Sequence, residues 1–421
     1  MKKSLFAVLA GLAALTVWIA NGWTMDFLFK DDQYSFQTLR AVSATAGGAA
    51  DIGECLAAAG RITEGDDETW YEEWMRTARR REQVGDEFLG QGHALSAGKE
   101  YLRASNYYRT AEFFLHGNPG DPRIVETWRK SRETFLKFAK LASHPIIVLD
   151  IPFEETTLPG YLCLVDDSGR KRPLLIVQTG FDGTKEELYY SQAVFALERG
   201  YNVLLFEGPG QGQVIREQGI PFRHNWESVI TPVVDFALLR PEVDQARIVL
   251  MGISFGGYLA PRAAAFEHRI SVLIANGGVY DFHSSATQGN SEIQASLDDP
   301  AACAEIDAAI RQAMETDPSL RWVMSNAMFT FQADSPSDWM RMTRPYVMRD
   351  VAAKIRARTL IVDSEGDRDM PGQAKQLYTI VDAPKDFMLF TREDGAEEHC
   401  QIGAMIYSNA RILNWLDEAI Q

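Results

Sequence analysis

The stretch Ile248–Ala265, with the sequence IVLMGISFGGYLAPRAAA, decides the fold. Its first four residues are apolar and begin with β-branched side chains, which predicts a buried parallel strand. The alanine-rich part from Tyr258 to Phe266 predicts a helix. Between them lies Ser254, with a glycine two residues before it and another two residues after it. This G-x-S-x-G pattern is typical of a nucleophile elbow, which exposes a serine hydroxyl above a sheet, although a glycine-rich turn with an incidental serine has the same letters.

From Pro145 onward, short apolar runs alternate with helical runs, and this alternation predicts a mostly parallel, doubly wound α/β sheet. The predicted strands are Ile146–Ile151, Tyr161–Val165, Leu174–Val177, Val203–Phe206, Ile248–Met251, Val272–Ala275, Leu360–Val362 and Phe387–Phe390. The predicted helices are Lys185–Arg199, Glu227–Leu239, Tyr258–Phe266, Gln373–Ile380 and Ile402–Ala419. Because the link between the first two strands is short, these two could pair in antiparallel fashion.

Two further segments flank or interrupt the predicted α/β domain of residues 145–421. Residues 24–144 show helical spacing of aromatic and small residues, which predicts an N-terminal helical domain. Residues 282–349 interrupt the alternation and carry Trp322 and Trp339 in an aromatic- and Met-rich part. We expect both segments to cover the carboxyl edge of the sheet.

The composition and net charge of the chain limit the classes of binding partner. The chain has 421 residues, 46% hydrophobic and 24% charged, which is ordinary for a packed globular protein. Its net charge of −16 argues against nucleic acid and anionic membranes, since both favour a basic face. A small-molecule partner is therefore expected, and a homodimer stays open. The four cysteines form no CxxC pair and there is no H-x-x-x-H motif, so we expect neither a metal nor a cofactor.

Residues 1–22 differ from the rest of the chain. Two lysines precede an uncharged apolar run from Leu5 to Ala20, and small residues follow it. This pattern predicts a cleaved export signal, with an uncleaved N-terminal anchor as the second interpretation and a buried helix as the third. The corresponding location is periplasmic, secreted or membrane-anchored, and cytoplasmic if the leader is not functional.

An activated serine needs a base and an acid that orients the base. His399 is the histidine that follows the last strand, in the turn-rich sequence REDGAEEHCQIGA, and it is predicted as the base. Asp367, in the loop after the strand TLIVD, is the predicted acid, with Asp369 in the same loop and Asp363 at the end of the strand as alternatives. Cys400 could form a dyad with His399, but adjacent side chains usually point apart.

Acyl transfer also needs two hydrogen-bond donors for the developing oxyanion. The predicted donors are the backbone N–H of Phe255, directly after the serine, and the N–H of Phe181 in the loop after the third apolar strand. The sequence EGPGQGQ at residues 207–213 resembles a phosphate loop but lacks the required third glycine and the Lys-Ser/Thr pair, so we interpret it as a structural turn.

With Ser254, Asp367 and His399 in this order, residues 145–421 resemble the α/β-hydrolase superfamily. Further motifs make nearly the whole chain resemble the group that contains 2,6-dihydroxypseudooxynicotine hydrolase and the fungal hydrolases that shorten heptaketide pigment precursors. These motifs are GECLAAAGRI (53–62), DDETWYEEW (66–74), SAGKEYLRASNYYRTAEFF (96–114), GFDGTKEE (180–187), FEGPGQG (206–212), GISFGGYLAPRAA (252–264) and EEHCQ (397–401).

The resemblance implies a helical N-terminal domain over a hydrolase core, with Ser254, Asp367 and His399 as the triad and Phe181 and Phe255 as oxyanion donors. Several members of this group cleave a C–C bond next to a carbonyl on an aromatic ring, and others are esterases or peptidase-like hydrolases. The exported leader departs from these intracellular relatives.

Three functions are compatible with these residues: a serine hydrolase of C–C or ester bonds, an acyltransferase that uses the same acyl-enzyme, and a non-catalytic binding protein on the same scaffold. The many aromatic side chains in the N-terminal helical segment and in the insertion predict a bulky, ring-bearing substrate. Tyr107 and Tyr108 are the predicted contacts, either by stacking on the substrate or by hydrogen bonding to it.

Overall fold

The computed structural model describes residues 27–420, and the leader predicted for residues 1–22 lies outside them. The described helices up to the first strand are α1 Asp32–Ser43, α2 Ile52–Ala59, α3 Asp67–Gly90, α4 Ala94–Glu112 and α5 Pro122–Ala139. Aspartates cap four of them: Asp31, Asp51, Asp66 and Asp121 each accept a hydrogen bond from a first-turn backbone N–H. In the part of the chain described, no helix is both long and apolar enough to cross a membrane.

The strands form one eight-stranded sheet. They are β1 Ile146–Phe153, β2 Thr156–Cys163, β3 Arg172–Gln178, β4 Asn202–Phe206, β5 Val243–Ile253, β6 Val272–Asn276, β7 Arg358–Ser364 and β8 Lys385–Phe390. Their order is β1-β2-β4-β3-β5-β6-β7-β8, and β2 pairs antiparallel with both β1 and β4 while the remaining pairs are parallel. The predicted α/β sheet is confirmed, although β2 begins five residues earlier than its apolar run.

The remaining helices connect the strands and build the insertion. They are α6 Lys185–Leu188, α7 Val194–Glu198, α8 Glu227–Leu238, α9 Gly256–Ala264, α10 Phe282–Ala286, α11 Ser291–Ser296, α12 Pro300–Met314, α13 Pro318–Phe331, α14 Pro336–Met342, α15 Gln373–Ile380 and α16 Met405–Ala419. A π-helical turn at Tyr189–Ala193 separates α6 from α7, where the sequence predicts one continuous helix. Helices α10–α14 fill the segment in which the βα alternation stops.

The central strands are buried on both faces. In β3, Leu174 and Ile176 belong to one hydrophobic cluster, and Leu175 and Val177 belong to the other, as the period of two in a strand requires. The first cluster includes α8, α9 and the insertion, whereas the second includes the N-terminal helices and α16. The N-terminal helices and the insertion therefore both pack against the sheet through these hydrophobic clusters.

Candidate active site

The turn after β5 places Ser254 above the carboxyl edge of the sheet. Ser254 has a φ of 61°, a strained left-handed value for a residue with a side chain, and its N–H donates to the Asn276 carbonyl at 2.8 Å. A Cβ added at Gly252 would lie 2.0 Å from the Gly256 carbonyl oxygen, and one at Gly256 would lie 2.9 Å from that of Thr179. The turn therefore requires both glycines of the G-x-S-x-G pattern.

A continuous hydrogen-bonded chain links Ser254 to His399 and Asp367. The Ser254 hydroxyl lies 2.8 Å from His399 Nε2, and His399 Nδ1 lies 2.7 Å from Asp367 Oδ2. Asp367 Oδ1 accepts hydrogen bonds from the backbone N–H groups of Asp369 and Met370, at 2.9 and 3.1 Å. The loop thus holds the carboxylate by one oxygen and directs the other at the imidazole.

The two alternative aspartates lie elsewhere. Asp369 Oδ2 is 3.8 Å from His399 Nδ1, and its side chain is 51% exposed. Asp363 accepts the N–H of Ser364, and burial together with the nearby Asp367 raises its pKa to about 6. Within the described residues, Asp367, Asp369 and His399 are also the one trio of donor groups close enough for a metal ion, but Asp367 and His399 direct their facing atoms at each other.

The charges around His399 control its protonation. Burial disfavours the imidazolium, but Asp367, Cys400 and Asp369 outweigh it and hold the pKa of His399 well above its usual range. Burial would raise the pKa of Asp367, yet His399 and the two backbone donors hold it below its usual value. These shifts favour the protonated imidazole together with an ionised Asp367.

Phe181 and Phe255 lie in two loops that pack against each other near Ser254. The loop after β3 packs so closely on the elbow that a Cβ at Gly180 would lie 2.5 Å from the Phe255 nitrogen. Neither the Phe181 N–H nor the Phe255 N–H donates a hydrogen bond to any group within residues 27–420. Both N–H groups therefore remain available to a bound ligand.

A family model for the alpha/beta hydrolase family matches residues 179–393. The chain belongs to the alpha/beta hydrolase family. Two fungal relatives are similar over nearly their whole length: Hydrolase acrC of Aspergillus aculeatus, which is 32% identical over 93% of this chain and 98% of its own, and 20-hydroxy-prefusarin hydrolase FUS2 of Gibberella moniliformis, which is 30% identical over the same shares.

Solved structures share the fold of this alpha/beta hydrolase. The crystal structure of 2,6-dihydroxy-pseudo-oxynicotine hydrolase superposes with a TM-score of 0.70 and 22% identity, over 90% of this chain and 95% of that one. The structure of AbyA5 superposes with a TM-score of 0.65 and 19% identity, over 90% and 93%. Both similarities extend beyond the sheet into the N-terminal helices, since the sheet begins only at Ile146.

The side chain of Cys400 lies close to that of His399, its neighbour in the sequence. Its Sγ lies 3.4 Å from His399 Nε2, although side chains of adjacent residues usually point apart. The reason is the φ of 53° at Cys400, which breaks the short 3-10 turn and brings both side chains toward the elbow. The serine hydroxyl remains the nearer partner of Nε2, and all four cysteines are free thiols.

Ser254 opens into a cleft of about 180 Å³ between the hydrolase core, the N-terminal helices and the insertion. Aromatic side chains of the core and insertion line it, namely Phe181, Phe282, Trp322 and Trp339. Polar side chains line other parts of it, among them Gln37 and Arg40 of α1, Ser285 of α10 and Asp369. The cleft thus combines aromatic and polar surfaces.

Tyr107 and Tyr108 do not line this cleft, which corrects the predicted substrate contact. Both are buried inside the N-terminal helical domain. The Tyr107 hydroxyl donates to Glu54 at 2.7 Å, and the Tyr108 hydroxyl donates to Glu82 at 2.7 Å. A buried phenol satisfies its hydroxyl within the packed helices, so these rings serve the domain itself rather than a ligand.

Helix α1 contributes a wall of the cleft that was not predicted from the sequence. Gln33, Phe36, Gln37 and Arg40 line the cleft from one face of this helix. Their spacing of i, i+3, i+4 and i+7 marks one face of a helix, and three of the four residues are polar. A helix face with one aromatic and three polar residues is the sequence signal that could have indicated a cleft wall rather than a buried packing surface.

Arg40 joins the N-terminal domain to the loop of Phe181. Its guanidinium donates to both oxygens of Glu187 and to Asp182, each at 2.6 Å, and Arg109 Nη2 lies 3.4 Å from Asp182. Burial would raise the pKa of Asp182, but Arg40 and Arg109 keep it below its usual value. A charged network from two N-terminal helices therefore holds the residue next to Phe181.

Proposed function

We propose that the protein is a serine hydrolase that cleaves a C–C or ester bond next to a carbonyl group in a bulky aromatic substrate. The observation that carries this proposal is the hydrogen-bonded chain from Ser254 through His399 to Asp367 at the base of an aromatic cleft. The two free N–H groups near the serine support it.

In the proposed reaction, Ser254 Oγ attacks the carbonyl carbon while His399 Nε2 takes the hydroxyl proton. Asp367 holds His399 Nδ1 and stabilises the imidazolium, and the N–H groups of Phe181 and Phe255 bind the oxyanion. Collapse of the tetrahedral intermediate leaves an acyl-serine. The leaving group takes the proton from His399, as an alcohol from an ester or as a carbon acid from a C–C bond. Water then attacks the acyl-serine with His399 as the base.

The substrate class rests on the cleft and on the names of the relatives. Rings of Phe181, Phe282, Trp322 and Trp339 suit a flat, largely uncharged molecule. FUS2 is named as a hydrolase of 20-hydroxy-prefusarin, and the structural neighbour as a hydrolase of 2,6-dihydroxy-pseudo-oxynicotine.

The test is covalent labelling with a fluorophosphonate probe followed by turnover of aryl esters, acyl phenols and β-diketones, with and without an acceptor alcohol. The wild-type protein should be labelled, and Ser254→Ala should abolish labelling and lower turnover by about four to six orders of magnitude. Ser271→Ala is the matched control, because its hydroxyl only donates to the Ile248 carbonyl at the far end of the sheet. A Ser254→Ala protein that is labelled like the wild type would refute the proposal.

A further inference from the structure

The loop that carries Phe181 is held by side chains that do not belong to it. The Gln211 side-chain amide donates to the carbonyls of Thr179 and Gly180, at 2.8 and 3.2 Å. Gln211 lies in the EGPGQG turn, whose Gly208 N–H donates back to its side-chain oxygen at 3.0 Å. The turn that resembled a phosphate loop therefore supports the loop after β3.

The next carbonyl of the loop is bound from the insertion. Asn326, on α13, is fully buried, and its Nδ2 donates to the Phe181 carbonyl at 3.1 Å. Its Oδ1 lies 2.8 Å from His116 Nδ1, which must therefore carry the hydrogen. The Phe181 carbonyl can only accept a hydrogen bond, so the nitrogen end of the amide must face the loop and its oxygen end must face His116.

His116 is held in turn by charged groups. Its Nε2 lies 2.9 Å from Glu112 Oε1, and Glu112 accepts hydrogen bonds from Arg216 Nε and Nη2 at 2.8 and 2.9 Å. Burial opposes the charge of Glu112, but Arg216 and His116 lower its pKa to about 2. A buried chain of contacts thus runs from the end of α4, in the N-terminal domain, through the insertion to the backbone of Phe181.

The direction of the Phe181 N–H depends on the two peptide planes that flank this residue. Gln211 binds the carbonyl of the first plane, and Asn326 binds the carbonyl of the second. With both planes held, the backbone angles of Phe181 are held as well, and its N–H keeps one direction. Preorganised donors of this kind stabilise a developing charge without reorganisation during the reaction.

We propose that Asn326 is a positioning residue for the oxyanion site: it fixes the Phe181 backbone so that the N–H points at the oxyanion formed at Ser254. This inference rests on the proposed function. It assigns to the insertion a role in the chemical step, in addition to covering the cleft.

The experiment uses the full-length protein with p-nitrophenyl acetate as substrate and phenylboronic acid as a probe that forms a tetrahedral adduct with a serine. Asn326→Asp is nearly isosteric and keeps an acceptor for His116, but it removes the donor to the Phe181 carbonyl. Asn326→Ala is the second variant, for the case in which the carboxylate prevents folding. Thr330→Val is the matched control, because Thr330 lies one turn further on the same buried helix face and its hydroxyl donates only to the Asn326 carbonyl.

We expect the Asn326 variants to lose about 10- to 100-fold in kcat, with KM within about threefold, and to lose boronate affinity by a similar factor. Thr330→Val should keep both values while showing a similar loss in thermal unfolding midpoint. Asn326 variants that match Thr330→Val in kcat and boronate affinity would overturn the inference. A wild-type protein that neither hydrolyses the ester nor binds the boronate would instead refute the proposed function.

Discussion

At the scale of single residues, the protonation state of His399 determines whether the proposed reaction can start. Its Nε2 can take the Ser254 proton only when the imidazole is neutral, yet Asp367 and Asp369 favour the charged form. Asp367 is needed to orient the ring, whereas Asp369 lies 3.8 Å away with half of its side chain exposed. Asp369 therefore adds negative charge near the base without holding it.

We expect kcat/KM to rise with pH through a midpoint above about 6.5, where an ordinary histidine titrates, because a raised pKa keeps the imidazole protonated to higher pH. Asp369→Asn should lower this midpoint, since it removes a charge that stabilises the imidazolium, and it should leave the plateau rate within a few-fold. A pH profile of aryl ester hydrolysis measures both values. Glu365→Gln, in the same loop, is the control, and an unchanged midpoint in Asp369→Asn would contradict this account.

At the scale of elements, two loops at the carboxyl edge of the sheet are built as one unit. The loop after β3 approaches the elbow after β5 so closely that Gly180 has no space for a side chain on that face. The same contact brings Gly180, the residue before Phe181, against the Phe255 backbone. The proposed oxyanion site therefore depends on the packing between the two loops and not on either loop alone.

Gly180→Ala should lower kcat by about 100-fold or more, because its Cβ would lie 2.5 Å from the Phe255 nitrogen and 2.8 Å from the Ile253 carbonyl oxygen. Gly90→Ala at the end of α3 is the control, since a Cβ there meets no atom within 4 Å. Ester hydrolysis and thermal unfolding should be measured together. A Gly180→Ala protein with kcat within threefold of the wild type would show that the two loops can separate without effect.

At the scale of the whole molecule, the cleft is made by three parts of the chain that are distant in sequence. Helix α1 supplies Phe36 and Arg40, the core supplies Ser254 and His399, and the insertion supplies tryptophans. Buried ion pairs of Arg40 with Asp182 and Glu187 join the first part to the second. Substrate recognition is therefore expected from α1 and the insertion rather than from the tyrosines of α4.

Phe36→Ala should raise KM for 2-naphthyl acetate by about tenfold and for p-nitrophenyl acetate by less, because it removes apolar contact area at the cleft. Tyr108→Phe should leave both KM values unchanged and lower the free energy of unfolding by about 1 kcal/mol, since it removes a hydrogen bond to Glu82. Steady-state kinetics and urea unfolding of the two variants test this division. A rise of KM in Tyr108→Phe but not in Phe36→Ala would show that the tyrosines contact the substrate.

Much of the fold and the core of the site could be predicted because their signals are local. The apolar runs of β3 and β5 and the glycines around Ser254 each reflect a constraint within a few residues. The chain order of Ser254, Asp367 and His399 then predicted which residues form the site. The structure brings their side chains into hydrogen-bond contact.

The sequence by itself determined the sheet, the elbow and the order of the three site residues, since periodicity and turn chemistry act over short distances. Only the tertiary structure decided that Asn326 and Arg40 reach the loop of Phe181, that Cys400 turns toward His399, and that Tyr107 and Tyr108 face away from the cleft. The physical reason is that buried polar groups must find partners, and partners such as His116 and Asn326 lie 210 residues apart along the chain. No local pattern records such a pairing.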